Sequence, residues 1–75
     1  MGWCSGTDLF DVVTESIITS PLTRKEKVKI LVTLIKAMED QDWDCQQDSS
    51  YWDEPIVAAA FKVVHPSWFI EGQHE

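Results

Sequence analysis

The sequence predicts an all-α fold, a small three-helix bundle with an acidic connection between its second and third helices. Three segments carry apolar residues at steps of three and four, which is the period of an amphipathic helix. Two of them also begin with typical helix-start residues, a capping box and a proline in the first turn. The composition is globular, with 44% hydrophobic residues, 25% charged residues and only three glycines and three prolines, which argues against disorder.

Size limits this fold to one domain with a thin core. The chain has 75 residues, and a chain this short buries a limited fraction of its surface. The four Trp and three Phe side chains bury a large area each and can complete such a core. We expect residues 1–6 to form an irregular arm and residues 71–75 a polar tail. A helical homodimer is also expected, because Ile30 and Val32 are spare apolar positions.

The first helix is predicted over residues 8–19. Ser5 or Thr7 can cap its start, and Asp8 in the first turn suits the positive end of the helix dipole. Pro21 ends the helix, because the residue before a proline is pushed out of the helical conformation. The apolar face of this helix consists of Leu9, Phe10, Val13, Ile17 and Ile18.

The second helix is predicted from residue 24 to residue 39 or 40, and its start is the clearest signal in the chain. In the capping box TRKE, the Thr23 hydroxyl and the Glu26 carboxylate each satisfy a free backbone N–H. The apolar positions are numerous, so we expect this to be the central helix and to pack on both neighbours. They are Val28, Leu31, Ile35 and Met38, widened by Ile30, Val32 and Leu34.

The third helix is predicted to begin near residue 53 or 54. Pro55 lies in its first turn, where a missing N–H costs little. Pro66 ends the helix, and we expect the aromatic pair Trp68 and Phe69 to fold back onto the bundle. The inner face of this helix consists of Ile56, Val57, Ala60, Phe61 and Val64.

Charge is segregated along the chain. The formal net charge is −7, from 13 acidic and 6 basic residues. Four cations, Arg24, Lys25, Lys27 and Lys29, stand at the start of the second helix, as in a DNA recognition helix. Net acidity argues against broad nucleic-acid binding, because phosphate binding needs a cationic surface. A small DNA-binding regulator is therefore an alternative function, and the cations are otherwise the solvated face of an amphipathic helix.

We call residues 39–54, EDQDWDCQQDSSYWDE, the acidic segment. It carries seven carboxylates and no Lys or Arg, and a short extra turn is predicted at residues 49–52. Alternate acids at its start, Asp40, Asp42, Asp44 and then Asp48, follow the spacing of a calcium loop. Such a loop needs Gly at its sixth position and Glu at its twelfth, where this sequence has Cys and Tyr. A calcium-binding helical domain is therefore only an alternative function.

The preferred function of the acidic segment is contact with a partner protein. Spaced carboxylates can imitate phosphates or meet a basic patch, and their charge raises the association rate. Aromatic rings among the acids supply the buried area that anchors an interface. Two of the rings, Trp43 and Trp52, can instead face inward and hold the segment on the core. The predicted partner-binding residues are Asp40, Asp42, Trp43, Asp44, Asp48, Tyr51, Trp52 and Asp53.

The cysteines and histidines indicate no enzyme, metal site or cofactor. Cys4 and Cys45 are expected to be reduced thiols in the cytoplasm, because no secretory signal is visible and two cysteines make no disulfide framework. A single bond between them is the alternative. The Cys and His residues lack the spacing of zinc ligands, and no catalytic motif or membrane span is present. We expect His65, at the end of the third helix, to interact with the helix dipole.

The opening MGWCSGTDLFD and the later MEDQDWDCQQDSSYWDEPIV, followed by HPSW, resemble a set of short phage and prophage proteins. These share an MGWCSG start, a D-W-D segment and a Trp-Asp-Pro-like helix start. The resemblance covers most of the chain and implies a phage or mobile-element origin without an assigned activity. Small acidic phage proteins often bind and inhibit a host protein. By analogy, we expect the partner to be a host protein with a basic surface, such as a nucleic-acid-handling enzyme.

Overall fold

The computed structural model describes residues 4–69, and this part of the chain confirms the all-α class. It contains no strand, and none of its helices is long and apolar enough to cross a membrane. The predicted tail, residues 71–75, and the first three residues of the predicted arm lie outside the described residues. The helices are α1 (Gly6–Ile18), α2 (Arg24–Glu39) and α3 (Pro55–Val64), with short 3-10 helices at Gln46–Asp48 and Pro66–Phe69.

Helix α1 begins two residues before its predicted start. Ser5 makes no capping hydrogen bond with its side chain, so that predicted cap is wrong. Thr7 lies within the first turn, is buried, and donates its hydroxyl to the Cys45 carbonyl oxygen at 3.1 Å. The first turn of α1 is therefore fixed by the acidic segment, which is distant in the chain, and not by a local cap.

Helix α2 begins as the sequence predicts. The Glu26 N–H donates to Thr23 Oγ1, and the Thr23 N–H donates to Glu26 Oε1, each at 3.1 Å. Helix α2 packs against both α1 and α3, which confirms its central position. One of its cations also has a structural role, since Lys27 Nζ donates to the Ile18 carbonyl oxygen at 2.6 Å. This contact places positive charge at the negative end of α1.

Helix α3 also begins as predicted, with Pro55 as its first residue. The Glu54 carboxylate accepts the N–H groups of Ile56 and Val57 at 2.7 and 3.1 Å. The proline has no N–H to satisfy, so the side chain of Glu54 reaches the next two donors. The extra turn predicted at residues 49–52 is preceded by the 3-10 helix Gln46–Asp48.

The core is organised around three aromatic rings from three different parts of the chain. The centroid of Phe10 on α1 lies 4.8 Å from that of Trp43 in the acidic segment and 5.9 Å from that of Phe61 on α3. Trp43 therefore completes the core from outside the helices. The buried apolar residues are Phe10, Ile17, Leu31, Ile35, Met38, Trp43, Val57, Ala60 and Phe61.

Candidate functional site

The acidic segment leaves α2 through a Schellman-type turn. The Trp43 N–H donates to the Met38 carbonyl at 3.2 Å, and the Asp42 N–H donates to the Glu39 carbonyl at 3.0 Å. Asp42 has a φ of 69°, the left-handed conformation in which this motif usually places glycine. The motif also brings the residue after the left-handed position onto the helix, and here Trp43 and Met38 are both buried. The direction of the segment is therefore set within one turn of the end of α2.

Trp43 faces the core and not the solvent. Its side chain is 1% exposed, and its Nε1–H donates to Thr7 Oγ1 at 3.0 Å. The prediction that Trp43 is a partner anchor is corrected on this ground, because a ring with no accessible surface cannot contact a partner. The other orientation that the sequence left open, an inward ring that holds the segment on the core, is the one observed.

Two further polar groups fix the acidic segment from its inner side. Gln46 is buried, and its Nε2 donates to Glu39 Oε2 at 2.8 Å and to the Trp43 carbonyl at 3.1 Å. The Ser49 hydroxyl donates to Asp11 Oδ1 at 2.5 Å, and the Ser50 N–H donates to Asp11 Oδ2 at 3.1 Å. The hydrogen bond from Gln46 to the Trp43 carbonyl is buried, so breaking it leaves polar groups unsatisfied away from water and disfavours other arrangements. The segment is therefore a fixed structure on α1 and α2.

The five aspartates that are predicted to contact a partner all lie on the solvent-facing side of the acidic segment. The side chains of the five aspartates are exposed, and none of them pairs with a Lys or Arg of residues 4–69. The charges of Asp40 and Asp42 also add to the negative end of the α2 dipole, which is unfavourable for stability, whereas Asp53 precedes the positive start of α3. The five are Asp40, Asp42, Asp44, Asp48 and Asp53.

Aromatic surface lies beside these carboxylates. Trp52 is partly buried, with its ring 4.9 Å from Phe61 and 6.3 Å from Trp68. Trp68 is 43% exposed and stacks on the His65 ring at 3.7 Å, and its centroid lies 6.4 Å from that of Phe61, so it folds back onto α3. The side chain of Phe69, its predicted companion, lies outside the described part. Trp52, at the end of the acidic segment, and Trp68 together form a partly exposed aromatic surface.

His65 joins this surface to the acidic segment. Its Nε2 lies 2.7 Å from Glu39 Oε2, the same carboxylate oxygen that accepts from Gln46. The sequence predicts an interaction of His65 with the α3 dipole, but the observed partner is this carboxylate at the end of α2. The dipeptide His65-Pro66 gives no signal of that contact, because Glu39 is 26 residues away.

Tyr51 lies near two acids of α1. Burial raises the pKa of its phenol above the ordinary value of 10.0, and the charge of Glu15, a hydrogen bond to Glu15 and the charge of Asp11 raise the pKa further. The ring is partly buried against the core. Tyr51 therefore remains a protonated hydrogen-bond donor at neutral pH, and part of its ring faces solvent.

The two cysteines come together, although 41 residues separate them. Cys4 and Cys45 form a disulfide with their Cα atoms 5.2 Å apart, within the usual range for such a bond. The expectation of two separate reduced thiols is therefore wrong for this structure. The signal that sequence analysis missed is spatial, because Cys4 precedes the first turn of α1 and the Cys45 carbonyl accepts the Thr7 hydroxyl of that turn.

The structure gives less support to the two alternative sites, the calcium loop and the basic start of α2. Among residues 4–69, the one group of three candidate metal-ligating side chains is Cys4, Asp44 and Cys45, and it does not follow the calcium-loop pattern. Arg24, Lys25 and Lys29 are exposed, but the formal net charge of −7 opposes the binding of a polyanion such as DNA. The acidic segment, together with the rings of Trp52 and Trp68, is the candidate site that the structure supports best.

Comparisons of this chain with protein-family models, with curated proteins and with solved structures find no match.

Proposed function

We propose that this protein is a non-enzymatic binding module, of phage origin, that engages a basic surface of a host protein through the acidic segment. The observation that carries the proposal is the two-sided construction of the segment. Its inner side is fixed by Trp43 and Gln46, and its outer side presents the exposed aspartates. A rigid row of unpaired charge loses little conformational entropy on binding, so more of the interaction energy appears as affinity.

Electrostatics favours a partner that is locally basic. The five exposed aspartates have no cationic partner among the described residues, so no cation of residues 4–69 neutralises their field. Such a field steers a basic surface toward the segment and raises the association rate, with strong dependence on salt. Carboxylates on a rigid scaffold also imitate a row of phosphates. A nucleic-acid-handling enzyme of the host is therefore the sharpest form of the proposed target.

The apolar part of the interface differs from the sequence prediction. Trp43 is removed from the contact set because it is buried, while Tyr51 and Trp52 stay in it because both are partly exposed. Trp68 is added, since it is 43% exposed and its ring lies 6.3 Å from that of Trp52. The proposed interface is thus acidic along the segment and aromatic at its border, which matches the composition of energetic anchors in protein interfaces.

Capture from host lysate with a charge-matched control tests the proposal. The variant Asp40→Asn/Asp42→Asn removes two charges from the segment, and Asp8→Asn/Glu26→Gln removes two exposed charges from α1 and the start of α2. We expect the native protein and the control to retain the same lysate protein, and the segment variant to lose it. For the purified target, the affinity of the segment variant is expected to fall at least tenfold, about 1.4 kcal/mol. Equal binding by both variants would refute the proposal.

We also propose that the chain binds a second copy of itself, through a face other than the acidic segment. A groove of about 480 Å³ between α1 and α2 is lined mainly by apolar side chains, among them Ile30, which is 41% exposed. Val32, the other spare position predicted from sequence, packs against the core instead. Antiparallel pairing of two grooves places the basic start of one α2 beside the acidic end of the other, so the charges are complementary.

Sedimentation velocity tests this second partner. Ile30→Glu places a charge in the groove, whereas Val63→Glu places the same charge on α3 at a position that is 59% exposed. We expect the native chain and Val63→Glu to dimerise and Ile30→Glu to stay monomeric. A native chain that is monomeric at every concentration tested, or a dimer indifferent to Ile30→Glu, contradicts the pairing and leaves the groove to a different protein.

A further inference from the structure

We propose that the reduced protein binds one zinc-like cation between Cys4, Asp44 and Cys45. The three side chains form the one group of three candidate ligands among the described residues, with their ligand atoms all within 4.8 Å of one another. This site shares Asp44 with the proposed partner interface but differs from it in chemistry, since its other two donors are the sulfur atoms of Cys4 and Cys45. It also departs from the sequence expectation, which assigned no metal.

The distances from the Asp44 carboxylate to the two sulfur atoms suit a tetrahedral ion, and the sulfur atoms, which are bonded to each other in this structure, separate on reduction. Asp44 Oδ1 lies 3.9 Å from Cys4 Sγ and 3.5 Å from Cys45 Sγ. Ligands at about 2.3 Å for sulfur and about 2.1 Å for oxygen, separated by a tetrahedral angle, lie about 3.6 Å apart. The carboxylate therefore already stands where a third ligand is needed. Cys4 and Asp44 are exposed, so an ion can reach the site and a water molecule can supply the fourth ligand.

The backbone around the two cysteines is held by contacts that do not involve sulfur. The Thr7 N–H donates to the Cys4 carbonyl at 3.0 Å, and the Thr7 hydroxyl donates to the Cys45 carbonyl at 3.1 Å. The same hydroxyl accepts the Trp43 Nε1–H at 3.0 Å. Thr7 thus ties both cysteines to the buried core, and the thiols stay close together after the disulfide is opened. Such support of the backbone preorganises a metal site.

The chemical class of the ion follows from the donors. Thiolates favour borderline and soft cations such as Zn²⁺ and Co²⁺ over Ca²⁺ and Mg²⁺, which require oxygen ligands. A dithiol reductant supplies the two electrons and two protons that convert the disulfide to two thiols, and is itself oxidised to a disulfide. Each thiol then releases its proton to the buffer as its sulfur binds the metal. The oxidised protein offers no thiolate, so reduction and metal binding are linked.

Titration of the reduced protein with Co²⁺ alone, followed by displacement with Zn²⁺, tests the site. We expect one ion per chain, a thiolate-to-cobalt charge-transfer band, and no band in the oxidised protein. Asp44→Asn is expected to weaken binding at least tenfold, whereas the neighbouring Asp42→Asn and Asp48→Asn leave it unchanged. Cys4→Ser and Cys45→Ser should each abolish the two-thiolate spectrum, with circular dichroism used to confirm that the helices persist.

Three results would overturn the proposal. A reduced protein without the charge-transfer band shows that the cysteines serve only as a disulfide. A stoichiometry of one ion per two chains shows that the metal joins molecules and does not occupy the site within one chain. An affinity that falls equally with Asp44→Asn and Asp48→Asn shows diffuse attraction to the acidic segment, because Asp48 is exposed and is not in the ligand group.

Discussion

The two ends of α2 are stabilised by contacts of very different range in the chain. At its start, Thr23 and Glu26 exchange two hydrogen bonds across three residues. At its end, the chain turns at Asp42 and places Trp43 against Thr7, which is 36 residues away. The start depends on local chemistry, whereas the end depends on the finished core.

The two ends of α2 also differ in how their unfavourable charges are compensated. The start of α2 carries cations at the positive end of the helix dipole, and the acidic segment adds carboxylates near its negative end. Both arrangements oppose the dipole by a few tenths of a kcal/mol per charge. At the start, Lys27 finds the carbonyl of Ile18, whereas the aspartates at the other end have no cationic partner among residues 4–69. Buried contacts therefore offset the charge of the acidic segment.

The largest expected effect comes from removing the buried contact at the end of α2. Trp43→Ala should lower the free energy of unfolding by about 3 to 5 kcal/mol, because it leaves a cavity among Phe10 and Phe61 and an unsatisfied Thr7. Trp68→Ala is the matched control, since it deletes the same ring type at a position that is 43% exposed. Urea denaturation followed by circular dichroism measures both. Equal losses for the two variants would contradict the central place of Trp43 in the core.

Local contacts are the part of this fold that sequence predicts well. The pattern of Thr23 and Glu26 is visible because both partners lie in one turn, and the same holds for Glu54 before Pro55. The alternating acids around Trp43 do not predict which way its ring points. The orientation of the Trp43 ring depends on Phe10 and Phe61, which are distant in the chain and come near only in the folded protein.

The same reasoning explains which parts of the candidate site escaped prediction. The exposed aspartates were identified from composition, because charged side chains rarely enter a core unless paired. Asp11 carries no partner signal in the sequence, but its carboxylate binds Ser49 and the Ser50 backbone 38 and 39 residues later. The Cys4–Cys45 bond is likewise a property of how α1 meets the acidic segment, so spacing rules for ligands or disulfides do not reveal it.

Opening the disulfide is expected to have the next largest effect. The bond closes a loop with a sequence separation of 41, for which the chain-entropy model gives a stabilisation of about 4 kcal/mol. Reduction should therefore lower the urea midpoint, and Cys4→Ser/Cys45→Ser should reproduce the reduced protein without reductant. The measurements are made with a chelator present, so that no metal compensates. An unchanged midpoint on reduction would show that Thr7 and Trp43 alone hold the end of α2.

The start of α2 should respond less strongly. Thr23→Ala removes the acceptor for the Glu26 N–H and is expected to cost about 1 kcal/mol in the free energy of unfolding. Glu26→Gln is the matched control, because an amide oxygen still accepts the Thr23 N–H and completes the capping box. A loss for Thr23→Ala as large as that for Trp43→Ala would contradict the contrast between the two ends.

The smallest effect is expected at Asp42, and its sign is opposite. Asp42 has a φ of 69°, a conformation that glycine adopts without strain, so Asp42→Gly should stabilise the protein by about 0.5 kcal/mol after the greater freedom of glycine in the unfolded chain is subtracted. Asp42→Asn isolates the charge, because asparagine tolerates the same conformation. Thermal and urea denaturation compare the three proteins.

The outcome at Asp42 bears directly on the proposed function. If glycine and asparagine both stabilise the protein and both weaken capture of the target, the carboxylate opposes stability and favours binding, as expected for a charge presented to a partner. If glycine destabilises it, the Asp42 carboxylate makes a stabilising contact of its own. The acidic end of α2 would then contribute to stability, as its start does. One of the five exposed charges would no longer support the binding proposal.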